Sequence, residues 1–223
     1  MSHFDVVVPR RGAAGMFAAM RAGSRGRRVL LIDHAGEPGK KTLISGGGRC
    51  NFTNLGCEPA RFLSANPRFA RSALASYTQD DFIAPVRKHR IAFHEKTLGQ
   101  LFCDGSARQA VQMLLAECEA AGVELRLRHR ITDIARSDRF AIAADHGAFT
   151  AESLVLATGG LSIPEMGEIG DAPLKAFGAL LGAQRLTPAG TEGYAKAEVH
   201  WVGWTPPRCR RRPWRRRMSP ACS

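Results

Sequence analysis

The apolar positions near the start of the chain predict a strand, a helix and a second strand, in that order. Residues 4–8 form a short β-branched apolar run, and residues 12–20 have a mostly small, helix-compatible composition that suits a helix packed on a sheet. A second apolar run, residues 29–33, ends in Asp33, and an acid about twenty residues beyond a glycine turn is typical of a dinucleotide-binding βαβ unit. We therefore expect helix N-terminal amides to hold a pyrophosphate and Asp33 to accept hydrogen bonds from an adenosine ribose.

Further along the chain, the same kind of pattern predicts more helices and strands. Thr78 can cap a helix that carries Asp80 and Asp81 in its first turn, where acids suit the helix dipole. Residues 106–121 have the period of an amphipathic helix, which Gly122 ends. The predicted strands are residues 91–93 and 100–103, which form a hairpin, residues 123–134 and 139–149, and residues 154–157.

The glycine turn of the first βαβ unit departs from the usual GxGxxG fingerprint. Gly12 and Gly15 fix its register, and this register puts Arg10, preceded by Pro9, at the position of the first glycine. An arginine there must avoid a positive φ angle or accept strain of about 1–3 kcal/mol. A contact between the guanidinium and a phosphate would offset part of this cost. We therefore expect weaker cofactor binding than an intact fingerprint gives.

The stretch SGGGRCNFTN, residues 45–54, is the strongest candidate for binding chemistry. Three consecutive glycines allow the backbone to take positive φ angles and lie against a ligand, and Arg49 follows at once with a positive charge. This combination favours a phosphate-bearing cofactor. Taken alone, the stretch is equally consistent with a mobile surface loop and a solvated arginine.

Three motifs together carry a resemblance to a known family. They are KKTLISGGGRCNFTN at residues 40–54, HEKTLGQLFCDGSA at residues 94–107 and LVLATGGLSIPEMG at residues 154–167. In this order they resemble the YhiN/BaiN-like flavoproteins, also described as aminoacetone oxidase-like NAD(P)/FAD-dependent oxidoreductases. The resemblance implies an α/β fold, a Rossmann-like FAD-binding domain of the two-dinucleotide-binding-domain flavoprotein type. It fades after residue 170, so we expect this domain to be incomplete at its C-terminus.

The same resemblance implies which residues bind FAD. The first βαβ unit would hold the ADP half of the cofactor, and the glycine loop would run beside the pyrophosphate and the flavin. The small residues after residues 154–157 would let the backbone approach the ligand a second time, although an ordinary buried strand with a glycine turn is the alternative. The FAD-binding candidates are Gly12, Gly15, Asp33, Lys41, Ser45, Gly46, Gly48, Arg49, Cys50, Asn51, Thr158, Gly159 and Gly160.

The resemblance also implies an activity. Hydride would move between the isoalloxazine of FAD and a small organic substrate, with NAD(P)H as a candidate electron donor. No side chain is assigned as catalytic, and we expect an impaired enzyme because the residues that would enclose the substrate are not found after residue 170. The alternatives are a non-catalytic remnant that keeps the fold and a nucleic-acid binder that uses an arginine-rich tail.

The cysteines and the apolar runs exclude several other classes of protein. Six cysteines form no CxxC pair and show no metal-ligand spacing with the seven histidines, so we expect no metal site. For Cys50, a small buried thiol that shapes the loop is favoured over a redox role, because the flavin would carry the redox chemistry. The sequence shows no signal peptide and no apolar run of about 18 residues, so we expect a cytoplasmic protein without a membrane partner.

The formal charge of +12 is concentrated near the end of the sequence. Seven arginines lie between residues 208 and 217, and +12 less these seven leaves +5. Residues 191–223 also lack apolar periodicity, so we expect an irregular, disordered tail after an FAD-binding domain at residues 1–190. No recognition fold accompanies the charge, so we expect no specific nucleic-acid partner. An out-of-frame translation would explain both this tail and the Pro-Arg-Arg stretch at residues 9–11.

Overall fold

The structure is a computed structural model that describes residues 1–9, 11–62, 66 and 68–157. The chain divides into two compact units. Among these residues, the first unit consists of Met1–Pro38 and residues 118–157, and the second consists of Gly39–Glu117. Arg10, the second glycine turn at Thr158, Gly159 and Gly160, and the predicted domain boundary at residue 190 lie outside the described residues.

The first unit is built on a six-stranded sheet. Its strands are β1 (Ser2–Pro9), β2 (Val29–Ile32), β6 (Glu124–Arg126), β7 (Ile131–Arg136), β8 (Phe140–Ala144) and β9 (Gly147–Leu154). They lie in the order β6-β2-β1-β9-β8-β7. The first four of this order are mutually parallel, whereas β8 is antiparallel to both of its neighbours.

Helix α1 (Ala13–Gly23) joins β1 to the parallel strand β2, which confirms the predicted βαβ unit. The parallel register places Val6 beside Val29, so the two strands end at the same edge of the sheet. All four residues of β2 are buried, as expected for a parallel strand that is covered on both faces. This mixed α/β arrangement is a Rossmann-type fold.

The core of the first unit forms around the central strands. Phe4 and Phe149 meet edge to face with their ring centroids 6.2 Å apart. Each fully buried large apolar side chain contributes about 1.5–3 kcal/mol to folding, which is why these strands read as apolar runs. The core cluster comprises Phe4, Val7, Leu30, Ile32, Ile142, Phe149 and Ala151.

The second unit carries a small antiparallel sheet and several helices. Its strands are β3 (Asn51–Asn54), β4 (Phe93–Glu95) and β5 (Gln100–Cys103), in the order β3-β5-β4. The antiparallel pairing of β4 with β5 confirms the predicted hairpin, but its first strand lies at Phe93–Glu95 and not at the predicted residues 91–93. The helices are α2 (Lys40–Gly48), α3 (Arg71–Ser76), α4 (Gln79–Lys88) and α5 (Ala107–Ala120), the last of which continues into the first unit.

The start of α4 follows the local signals in the sequence. Thr78 Oγ1 accepts a hydrogen bond from the Asp81 backbone N–H at 3.3 Å, and Asp81 Oδ2 accepts one from the Thr78 backbone N–H at 2.7 Å. This reciprocal capping box satisfies two backbone donors that the first helical turn would otherwise leave unpaired. The predicted cap at Thr78 is therefore confirmed.

Three other strand predictions also differ from the structure. Residues 123–134 form two strands, β6 and β7, because the chain turns between them through Arg128, whose φ is +53°. Residues 139–149 belong to β8 and to the start of β9, with Gly147 at φ +136° after the turn. The strand predicted at residues 154–157 is wrong beyond Leu154, although the Val155 N–H still donates to the Val7 carbonyl at 3.0 Å.

Candidate functional site

The turn between β1 and α1 presents an open helix N-terminus. Gly12 is the N-cap residue of α1, with φ −68° and ψ 170°, and no side chain caps the helix there. A Cβ atom built on Gly12 would meet no atom within 4 Å outside its two chain neighbours, so the other described residues leave space beside this backbone. The first N–H groups of a helix have no partner within the helix, and together with the helix dipole they suit an anion. Gly15 is buried in the following turn.

Asp33 lies immediately after β2 and is nearly buried, with 7% of its surface exposed. Its Oδ2 accepts the backbone N–H of Arg11 at 2.8 Å, and its Oδ1 accepts the backbone N–H of Ala35 at 2.9 Å. The Asp33 backbone bonds in turn to Arg126 and His129. The carboxylate is therefore held in one orientation beside the turn that leads into α1.

Arg11 is a residue of this site that sequence reasoning missed. Its side chain is 1% exposed, and its Nη2 donates to the Ala35 carbonyl at 3.3 Å. Its Nε has no hydrogen-bond partner among the described residues. Burial lowers the pKa of Arg11, while the charge of Asp33 opposes that shift. The only signal in the sequence was the presence of a second arginine within the glycine turn.

The glycine loop of the second unit contains a run of left-handed backbone. After Ser45 leaves the helical conformation, the φ angles of Gly46, Gly47 and Gly48 are +58°, +66° and +83°. Cys50 follows at +53°. Side chains rarely adopt this region, so the three glycines match the backbone that they form.

The three glycines of this loop differ in what surrounds them. A Cβ on Gly46 would lie 2.5 Å from Phe102 Cε1, so this glycine is required by packing. A Cβ on Gly47 would meet nothing within 4 Å, and one on Gly48 would meet only the Leu43 carbonyl oxygen at 3.9 Å. The loop therefore packs on Phe102 through Gly46, while Gly47 and Gly48 face open space that a ligand could fill.

Cys50 and Ser45 stabilise the shape of the loop. Ser45 Oγ donates to the Thr42 carbonyl at 2.7 Å, and the Cys50 backbone N–H donates to the Ser45 carbonyl at 3.0 Å. Burial raises the pKa of the Cys50 thiol, partly offset by its hydrogen bond with Ser45. Burial, together with the nearby Cys50, raises the pKa of Cys103 to about 11. Both thiols are therefore protonated at neutral pH, which agrees with a structural role for Cys50.

The remaining candidates in this loop divide into exposed and structural residues. Arg49 is exposed, and its carbonyl accepts the Cys103 backbone N–H at 2.9 Å. With its amide oriented to donate, Asn51 bonds to the Thr53 and Leu101 carbonyls at 3.1 and 3.2 Å and so ties β3 to β5. Lys41 is half-buried in α2. Arg49 is thus an exposed cation of this loop.

One group of metal-ligating side chains occurs within the described ranges. His3, Asp5 and Glu152 offer ligand atoms that lie within 4.8 Å of one another. His3 Nδ1 lies 3.1 Å from Thr150 Oγ1, and Asp5 Oδ2 accepts the Arg28 backbone N–H at 2.8 Å. Contacts within the protein therefore explain the positions of the His3 and Asp5 side chains without a metal ion.

The described part of the chain also bears on membrane association. None of its helices combines the length and the apolar character that a membrane span requires.

Comparison with known proteins gives a consistent picture of the fold. A sequence model described as the HI0933-like protein Rossmann domain matches residues 4–179. The ribosomal RNA dihydrouridine synthase of Escherichia coli (strain K12) is 55% identical over 168 residues, which are 75% of this chain and 42% of that protein. The 3-dehydro-bile acid delta(4,6)-reductase of Clostridium scindens is 28% identical over 164 residues, 71% of this chain and 40% of that protein.

Among solved structures, the chain is similar to the 3-ketosteroid-delta4-(5alpha)-dehydrogenase of Rhodococcus jostii RHA1. The TM-score is 0.55 at 17% sequence identity, over 72% of this chain and 47% of that one. This likeness concerns the fold alone. The chain spans about two fifths of the length of both curated relatives.

Proposed function

Because the chain belongs to the HI0933-like Rossmann-domain family, we propose that it is the FAD-binding part of a flavoprotein reductase. The Rossmann-type fold, which FAD-binding proteins share, supports this cofactor. NAD(P)H as the electron donor, and the individual binding residues, remain predictions.

One observation carries the cofactor assignment: the open backbone at Gly12 beside the fixed carboxylate of Asp33. The amides at the start of α1 would donate to a phosphate, and the missing side chain at Gly12 would permit the close approach of a pyrophosphate. Asp33 would accept a ribose hydroxyl, because each carboxylate oxygen has more than one acceptor position.

For the second unit, we propose from the family resemblance that Arg49 and the backbone of Gly47 and Gly48 contribute to binding FAD. Arg49 is exposed and would supply a positive charge, and the two glycines leave room for a ligand. Ser45, Gly46, Cys50 and Asn51 would act on the cofactor indirectly, since their contacts shape the loop. When bound, FAD would supply the hydride-transfer chemistry.

The names of the two relatives suggest a substrate class for the whole protein. Making dihydrouridine saturates a carbon–carbon double bond of uracil that is conjugated to a carbonyl, and a delta(4,6)-reductase of a 3-dehydro-bile acid acts on a similarly conjugated bond. We propose that the complete protein reduces such an activated double bond. Reduced FAD would supply the hydride and solvent the proton that add across the double bond, and hydride transfer from NAD(P)H, which becomes NAD(P)⁺, would restore the reduced cofactor.

Within this class, uridine in RNA is the first candidate substrate, because the relative named for it is 55% identical, against 28% for the bile-acid reductase. This proposal departs from our expectation of a small-molecule substrate without a specific nucleic-acid partner, which stays as the second candidate. An arginine-tail nucleic-acid binder without flavin is the third.

Cofactor binding is the first test. The purified chain, freed of any chromophore and titrated with FAD, is expected to quench flavin fluorescence with saturation, and ADP is expected to compete. Absence of saturable binding of FAD both by this chain and by its R11A variant would reject the flavoprotein assignment. Reduction of unmodified ribosomal RNA, compared with a panel of conjugated enones, by a complete family member from the same source then separates the two substrate classes.

A further inference from the structure

We infer that the side chain of Arg11 covers the adenosine side of the proposed FAD site and obstructs nucleotide entry. This inference rests on the proposed function and adds a residue that controls affinity. Arg11 follows β1 and precedes the N-cap Gly12, and its side chain is almost completely buried.

The position of Arg11 is where an open α/β sheet binds its ligand. Such sheets bind ligands beyond the carboxyl ends of their parallel strands. Arg11 lies beyond the end of β1, and Asp33 and Ala35 lie beyond the end of β2. The guanidinium reaches from one strand end to the other, because Nη2 donates to the Ala35 carbonyl at 3.3 Å.

The same contacts leave Asp33 poorly accessible to a ribose. The Arg11 backbone donates to one carboxylate oxygen and the Ala35 backbone to the other, and the guanidinium charge is attracted to the same carboxylate. Arg11 and Ala35 therefore enclose Asp33, the acid that should receive a ribose hydroxyl. A nucleotide that is to reach Asp33 has to displace the Arg11 side chain.

The Arg11 side chain is nevertheless poorly satisfied where it lies. Its Nε has no hydrogen-bond partner in the described part of the chain, and a buried N–H without a partner is costly. Burial also lowers the pKa of Arg11, so the charged group is stabilised less there than in water. Because its buried position is unfavourable, the Arg11 side chain can be displaced by a ligand. It obstructs the site reversibly.

The test uses ADP, which carries the adenosine ribose and the pyrophosphate without the flavin. Dissociation constants for ADP are measured by calorimetry for the full chain and for three variants. R11A removes the obstacle, R11M keeps most of its bulk without the charge, and R27A removes an exposed arginine from the turn before β2. Urea unfolding of each variant checks that it is folded.

We expect R11A to bind ADP about tenfold more tightly than the unmodified chain, the factor that applies when the open arrangement is populated about a tenth of the time. R11M should gain less than R11A, and R27A should not change. Unchanged or weaker ADP binding by R11A, or equal gains in ADP affinity in R11A and R11M, would overturn the inference that the Arg11 side chain obstructs nucleotide entry.

A parallel FAD titration separates this inference from the proposed function. If the unmodified chain and R11A bind FAD saturably and with equal affinity, Arg11 does not obstruct the site, but the flavoprotein assignment stands. Tighter FAD binding by R11A would support both. Failure of both proteins to bind FAD and ADP would reject both, because removal of the obstacle should have exposed the site.

Discussion

Gly46 lies so close to Phe102 that a Cβ atom at position 46 would be 2.5 Å from the ring carbon Cε1. Gly47, its neighbour, has the same left-handed backbone but no atom within 4 Å of the corresponding position. Two adjacent glycines with φ angles of +58° and +66° thus differ only in packing. Substituting alanine at each of the two positions therefore separates the cost of backbone strain from the cost of a steric clash.

We predict that G46A destabilises the chain more than G47A. Both variants place alanine in a left-handed conformation, which costs about 1–2 kcal/mol. G46A should cost a further 1–3 kcal/mol, roughly, because Phe102 or the loop must move to accommodate the methyl group. The free energy of unfolding in urea measures both. Equal losses in the two variants would contradict the packing of Gly46 on Phe102.

The ion pairs of Glu117 predict a pH dependence of stability. Its Oε1 lies 2.7 Å from both Lys88 Nζ and His89 Nε2, and these hydrogen bonds, Lys88 first, lower the pKa of Glu117 below its ordinary value of 4.5. Because the pKa is lower in the folded state, the stabilisation is present above pH 4.5 and is lost as the pH falls through the folded pKa.

We therefore predict that E117Q is less stable than the unmodified chain at pH 7 by about 1 kcal/mol, a modest loss because solvent screens the exposed Lys88. The difference should shrink as the pH is lowered from 4.5 into the acid range. E119Q changes an exposed glutamate of the same helix and serves as the control. A loss of stability in E117Q that stays constant from pH 7 into the acid range would show that these ion pairs are not its cause.

Arg49 offers a test of the glycine loop as a cofactor site. R49A should weaken FAD binding by about 1.5–3 kcal/mol, the contribution of a charge-assisted hydrogen bond. R108A changes an exposed arginine in α5 of the same unit and should leave FAD affinity unchanged. Flavin fluorescence titrations give both constants. If the two variants bind FAD equally well, Arg49 does not contact the cofactor.

The first glycine position offers a second test of the binding-site predictions. We expect R10G, ideally combined with P9I, to raise FAD occupancy because it restores the tight turn and the close approach to the pyrophosphate. G15V should lower occupancy, because a larger side chain at this buried position would push α1 away from the sheet. Flavin absorbance of the purified variants measures occupancy. Unchanged occupancy after the repair would mean that arginine is tolerated there.

Local signals in the sequence were enough to predict much of the fold. The βαβ unit follows from apolar runs that match buried strands, and the cap at Thr78 follows from a threonine with acids in the first turn after it. The strand after residue 123 was predicted too long, because the left-handed turn at Arg128 has no glycine to mark it.

The site was less predictable, because its contacts join residues that are distant in sequence. The glycine run indicated left-handed backbone, but only the fold shows that Gly46 packs on Phe102 while Gly47 stays open. Arg11 was missed for the same reason. Nothing local indicates that an arginine in a turn will be buried between two strand ends, beside Asp33 and under the Ala35 carbonyl.

A substitution at Gly12 is expected to weaken ligand binding while leaving the free energy of unfolding nearly unchanged. Its φ and ψ angles are accessible to any residue, and a Cβ atom there would meet nothing within 4 Å, so G12A should change the free energy of unfolding by no more than about 0.5 kcal/mol. The same methyl group would occupy the space through which a pyrophosphate approaches the backbone, so FAD and ADP affinity should fall about tenfold. G36A is the matched control, since its nearest contact would be Arg128 Nε at 3.5 Å, an ordinary distance. Urea unfolding and ligand titration on the same preparations measure both quantities. If the G12A variant is stable and binds both nucleotides with unchanged affinity, the open backbone at the start of α1 is not where the cofactor binds.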